Sequence, residues 1–235
     1  PSGFFFGCTL TPRLLAISLG IAGNWPAEQA SKMKAHRGGV MDQDTIPCES
    51  CGQLTPHYDI VSYRGAEGSC RQLCTRCFNA DVARLGGLAH FEDIPLEPID
   101  LTDSVGETHR FFFRTRLHGN IVVLDAFELR DGRPSGYQCQ VIGNPEQELL
   151  ALLAKLIERL RRLLSIRHLA TEGEKTEIAE QTVRGRIDWD ESAVERTPLL
   201  VIDGREISWN DFGRMLSAFE GWQFKLEIVD RSDEI

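Results

Sequence analysis

Four cysteines stand as two Cys-x2-Cys pairs, Cys48 with Cys51 and Cys74 with Cys77. Each pair places two sulfurs within reach of one ion, and a chain that folds back between the pairs completes a tetrahedron of thiolates at about 2.3 Å from the metal. The spacing therefore predicts one structural Zn2+ on Cys48, Cys51, Cys74 and Cys77. Two redox disulfides or an iron site are the competing chemistry. Four thiolates leave no coordination position for water or substrate, which argues against zinc catalysis. His57 and Cys70 are substitute ligands in principle. Cys70 would make a poorer Cys-x3-Cys knuckle and reads instead as a small half-buried residue at a strand end. Cys8 and Cys139 have no partner spacing, and Cys139 alternates with Tyr137 and Val141 as the inner face of a strand does.

Two further groups could carry chemistry. Asp188 and Asp190 would share one face of a strand, beside Glu191, which is how a divalent-metal nuclease or hydrolase site begins. A solvated strand end is the plainer reading, because the sequence places no third ligand. In the run from His109 to His118, Arg110, Phe112, Arg114, Arg116 and His118 alternate with Phe111, Phe113 and Leu117. Arginines around an exposed aromatic suit a single-stranded nucleic-acid platform or a protein partner. A solvated sheet face is again the plainer reading. The phosphate-loop, dinucleotide, zinc-protease and serine-hydrolase signatures do not occur. The six histidines are scattered, with none paired at ligand spacing.

The elements around the cysteines are readable. Thr55 to Tyr63 is rich in β-formers, residues 64–68 carry two glycines for a turn, and Cys70 to Leu73 leads back. Phe78, Val82, Leu85 and Leu88 then recur at helical spacing, with Gly86-Gly87 to stop the helix. Knuckle, hairpin and a second knuckle on a helix start resemble a treble-clef zinc finger over residues 48–88, carried by Cys48-Glu49-Ser50-Cys51-Gly52 and Leu73-Cys74-Thr75-Arg76-Cys77-Phe78-Asn79. The resemblance implies the same four ligands. It implies no single function, since members bind nucleic acids, proteins or lipids.

Beyond residue 93 the pattern is hairpins and helices. Glu107 to Leu117, Ile121 to Arg130 and Tyr137 to Ile142 predict an antiparallel meander, turned at Gly119-Asn120 and Asp131-Gly132. Asn144-Pro145 reads as a helix start. The leucine-rich stripe from Leu149 to Leu164 follows, and it is better suited to cover the sheet than to form a coiled coil. Glu172 to Lys175 reads as a loop and Thr182 to Trp189 as a strand. A second Asp-Gly hairpin lies at Asp203-Gly204, with Ser208 and Asp211 capping a short helix of Phe212, Met215, Leu216 and Phe219. Trp222 to Val229 alternates as a final strand, before a polar tail. From Met41 onward the chain resembles an uncharacterised bacterial family of hypothetical proteins, on Pro-Leu-Leu-Val-Ile-Asp-Gly-Arg-Glu-Ile at 198–207 and Phe-Glu-Gly-Trp-Gln-Phe-Lys at 219–225. That resemblance implies no activity.

The expected fold class is α+β: a small treble-clef-like zinc finger at 41–92, then an antiparallel-sheet module with one long and one short helix at 93–235. Residues 1–40 read as a poorly structured or over-extended segment. They hold four basic residues and one acid, and the other 195 hold 22 bases and 34 acids. The apolar run Leu14 to Gly23 is too short to span a bilayer. A signal or anchor, a loose tail and an over-extended reading frame compete for it. The last predicts a working protein that starts near Met41. A net charge of −9 over 235 residues excludes a general nucleic-acid coat. Seven cysteines are too few for a disulfide scaffold of this length, so the pairs point to metal and a reducing, cytoplasmic setting. The function expected is a non-enzymatic interaction or regulatory protein that recognises a macromolecular partner. A protein partner ranks before nucleic acid, and no membrane is expected. The alternative is the metal-dependent hydrolase or nuclease on Asp188 and Asp190.

Overall fold

A computed structural model describes residues 45–233 apart from 65–68, 89, 174 and 191–196. The readings that fall on residues 1–40, Met41, Cys8 and Glu191 lie outside the described residues.

Three groups of buried side chains follow one another along the chain. The first unit opens with a short hairpin of β1 (Thr45–Pro47) and β2 (Leu54–Pro56), whose loop carries the first cysteine pair. A single 3-10 turn (His57–Asp59) leads to a second hairpin, β3 (Ile60–Arg64) with β4 (Cys70–Cys74). Helix α1 (Thr75–Gly86) starts directly after Cys74. It ends as the sequence predicts: Gly87 takes the left-handed conformation (φ +70°) and its N–H bonds the Ala83 carbonyl. Cys48, Leu73, Cys74 and Phe78 make the small core.

The main sheet has the order β5 (Ile99–Thr102), β6 (Thr108–His118), β7 (Ile121–Arg130), β8 (Arg133–Gly143), all antiparallel. The Asp131-Gly132 turn has both residues at positive φ (52° and 74°), as a tight hairpin between right-twisted strands requires. Helix α2 (Leu149–Ser165) lies across β7 and β8. Leu152, Leu156, Leu160 and Leu164 are buried on one stripe against Phe111, Leu117, Val122, Leu124, Ala126 and Val141. The helix starts four residues later than Asn144-Pro145 suggests. Asn144 instead closes a turn, its side chain accepting the Glu146 N–H and its carbonyl the Gln147 N–H. An Asx turn competes with the helix for the same side-chain oxygen, and here it wins.

The third unit holds hairpin β9 (Leu169–Glu172) with β10 (Lys175–Ile178), and a three-stranded sheet of β11 (Arg186–Trp189), β12 (Pro198–Ile202) and β13 (Arg205–Ser208). Asp203 and Gly204 again turn at positive φ. Helix α3 (Trp209–Leu216) is capped by Ser208, whose Oγ accepts the Asp211 N–H at 3.1 Å. The predicted loop at 172–175 is the turn of the β9–β10 hairpin, and the predicted strand from Thr182 shortens to β11. The predicted strand Trp222 to Val229 does not form. The segment is irregular, and Trp222, Phe224, Leu226 and Ile228 stand exposed. Alternation supplies a face but no ladder partner, and a strand needs both. Mixed helices and antiparallel sheets, with the cysteine cluster near the start, match the expected α+β class.

Candidate metal centre

The first cysteine pair sits in the β1–β2 loop. The Gly52 N–H bonds the Cys48 carbonyl at 2.8 Å and the Cys48 N–H bonds the Gln53 carbonyl at 3.0 Å, closing a tight turn. Gly52 adopts φ +74°, a conformation with little cost only for glycine. The Glu49 N–H bonds the Gln72 carbonyl at 2.9 Å, which clips this knuckle onto β4. β4 delivers Cys74 at its end, and the first turn of α1 delivers Cys77. The fold-back that the sequence demanded is therefore made by the β3–β4 hairpin.

The four sulfurs all lie within 4.8 Å of one another, and Cys51 Sγ and Cys74 Sγ are 4.0 Å apart. Four sulfurs at about 2.3 Å from one ion would be about 3.8 Å apart. A disulfide would need about 2.05 Å. All four cysteines are unbridged. Burial pushes the Cys48 thiol up, but the N–H groups of Cys51, Cys74 and Ser50 aimed at it outweigh that and bring it down to about 6. The Cys74 N–H to Cys48 Sγ distance is 3.2 Å. Burial raises Cys74 to about 12 and raises Cys77 as well. A cation among the four sulfurs would favour the thiolate form that ligation requires. Cys70 opens β4, exposed and outside the four-sulfur group. His57 is likewise outside it.

The cysteine cluster is seated on the main sheet by residues outside its own motif. β5 pairs with β6 only as far as Phe111, so among the described residues the edge of β6 beyond it lacks a strand neighbour. Asn79 of α1 fills that gap: its Nδ2 donates to the Thr115 carbonyl at 2.7 Å and its Oδ1 accepts the Leu117 N–H at 2.8 Å. The side chain is fully buried and acts as a surrogate strand, with Asp93 taking a second bond from Nδ2 at 2.8 Å. Phe78 meets His118 edge-on nearby.

The arginine stripe is spent on the same junction. Arg114 and Arg116 both donate to Oδ2 of the fully buried Asp125 on β7, at 3.3 and 2.8 Å. Arg114 also donates to the Tyr58 carbonyl at 2.6 Å. Phe112 is half-buried, with the Tyr58 ring 6.3 Å away edge-on. Only Arg110 of the four stands exposed. The pattern of types and alternation was correct, with Phe111 and Leu117 fully buried opposite. What a single strand cannot reveal is that the 3-10 turn His57–Asp59 covers the face expected to be open.

Asp188 is gripped by Arg186 through a two-pronged pair at 2.8 and 2.7 Å, and Arg186 also reaches the Gly136 carbonyl. Among the described residues Asp188 and Asp190 join no cluster of three metal-ligating side chains. A second such cluster does occur, at the β5–β6 turn: Asp103, Glu107 and His109. Its histidine has no histidine or cysteine at ligand spacing, so motif spacing carries no signal for it.

Three families match consecutive segments, each described as a domain of unknown function: residues 47–89 (DUF7685), 92–165 (DUF7686) and 166–233 (DUF7713). The breaks fall shortly after α1 and directly after α2. No curated protein and no solved structure matches the chain. Among the described residues no helix is long and apolar enough to cross a membrane.

Proposed function

We propose that Cys48, Cys51, Cys74 and Cys77 hold one structural Zn2+ in a treble-clef-like finger. The protein is then a non-enzymatic interaction or regulatory protein of the cytoplasm, where thiols stay reduced. Closure of four sulfurs around one point carries this reading: it supports a metal and leaves no position for a reacting water. Such a site supplies about 10–16 kcal/mol to folding in small fingers, and here it braces the hairpin and helix that meet β6.

Recognition falls to a macromolecular partner, a protein before nucleic acid. The support is the exposed row of Trp222, Phe224, Leu226 and Ile228, with Phe224 91% accessible. Contiguous apolar surface of this kind marks interaction sites. Its period-2 alternation on irregular backbone suits addition to the sheet edge of a partner. The Arg110, Phe112, Arg114 and Arg116 stripe is the weaker surface, because Arg114 and Arg116 are already paired with Asp125. No observation favours a hydrolase on Asp188, whose charge Arg186 answers.

Tagged wild-type protein and a Phe224→Asp/Leu226→Asp variant should be recovered from native lysate and analysed for protein and nucleic acid. The expected result is a stoichiometric protein held by the wild type and lost by the variant. Equal recovery by both, or a stoichiometric nucleic acid, would contradict the reading.

A further inference from the structure

We propose that Asp103, Glu107 and His109 form a second metal site, open and distinct from the cysteine centre, for a divalent first-row transition-metal ion. The turn between β5 and β6 builds it. Asp103 Oδ1 accepts the N–H groups of Val105 and Glu107 at 3.0 and 2.8 Å, which fixes the turn and leaves Oδ2 outside those two bonds. That carboxylate side chain is only 3% exposed. His109 follows on β6, 8% exposed.

The imidazole is oriented as a ligand would be. Its Nδ1 lies 2.9 Å from Glu128 Oε1 on β7. A carboxylate only accepts, so Nδ1 carries a proton, and in the neutral ring Nε2 then presents its lone pair. Nε2 is buried and has no hydrogen-bond partner. It points at Asp103 Oδ2 from 3.7 Å, too far for a hydrogen bond. Two ligand atoms on one tetrahedral ion are about 3.4 Å apart, so the gap is close to what a shared metal needs. Glu107 completes the set, all three ligand atoms lying within 4.8 Å of one another.

Glu128 is itself held in place. It accepts the Tyr137 N–H at 2.7 Å, and a Cβ on Gly136 would fall within 2.1 Å of its Oε2. Carboxylate, histidine and metal in line is the usual arrangement behind a ligating imidazole. One nitrogen and two carboxylates suit Zn2+ or Mn2+ better than Mg2+ or Ca2+, which take oxygen alone. Arg167 lies on the outer side, 3.9 Å from Asp103 and 3.4 Å from Glu107. It balances the carboxylates without closing on Asp103, and it competes with an incoming cation.

The test uses full-length protein already carrying one equivalent of zinc. Mn2+ is followed by electron paramagnetic resonance and a second equivalent of Zn2+ by native mass spectrometry. The expected result is one further ion per chain. Glu107→Gln, at a side chain 59% exposed, should weaken it at least about tenfold without unfolding the protein. Glu128→Gln should weaken it about 10–100-fold, because an amide donating to Nδ1 would move the ring proton onto Nε2. Arg167→Gln should tighten it. The proposal is overturned if neither ion binds saturably to the wild type or to Arg167→Gln, or if Glu107→Gln binds as tightly as the wild type.

Discussion

Asn79 and Asp125 are fully buried polar side chains, each bonded to more than one other residue. Asn79 satisfies a buried carbonyl and a buried N–H on a strand edge that β5 does not reach. Asn79→Ala should cost about 1–3 kcal/mol for each group left unsatisfied, read as a lower denaturant midpoint at unchanged slope. Asp125 stands between two arginines in the buried junction. Asp125→Ala leaves both uncompensated and should cost about 3–5 kcal/mol by the same measurement. A value near zero would mean water reaches the arginines. The cysteines were legible because two sulfurs on one ion constrain residues three apart, a local signal. Asn79 was not, because its partners lie 36 and 38 residues away on a strand whose edge is left open only by the short reach of β5. The arginines were legible as a stripe and illegible as a junction for the same reason.

Elements were readable where periodicity met a partner within the same unit. The leucine stripe of α2 found the meander, and both Asp-Gly turns formed with the positive φ their residue types favour. Where a pattern promised a face and the fold supplied no ladder, as at Trp222 to Val229, the reading failed. Short strands such as β5 and β9 were missed because four residues show too little alternation. The stripe itself makes a graded prediction. Leu156 is fully buried against the sheet, and Leu156→Ala should cost about 2–5 kcal/mol. Leu150 is 62% exposed on the same helix, and Leu150→Ala should stay within about 0.5 kcal/mol. Thermal melting of the two variants separates them; equal losses would mean α2 is not packed by that face.

At the scale of the whole molecule, the cysteine centre is coupled to the main sheet through α1. Removing the proposed zinc with a chelator under reducing conditions should release Asn79 from β6. The Leu117 amide, bonded to Asn79 Oδ1 at 2.8 Å, then reports the loss. Its hydrogen exchange should accelerate on chelation, while amides in the middle of β7 and α2 keep their protection. Unchanged exchange at Leu117 would mean that the seat on the sheet holds without metal.

The nature of that centre is read most directly by zinc K-edge absorption on reduced full-length protein carrying one equivalent of zinc. Four sulfurs on one ion predict a single shell of four sulfur scatterers at about 2.3 Å. Protein that retains no zinc, or a first shell that contains nitrogen or oxygen, would contradict the assignment of Cys48, Cys51, Cys74 and Cys77 as its four ligands.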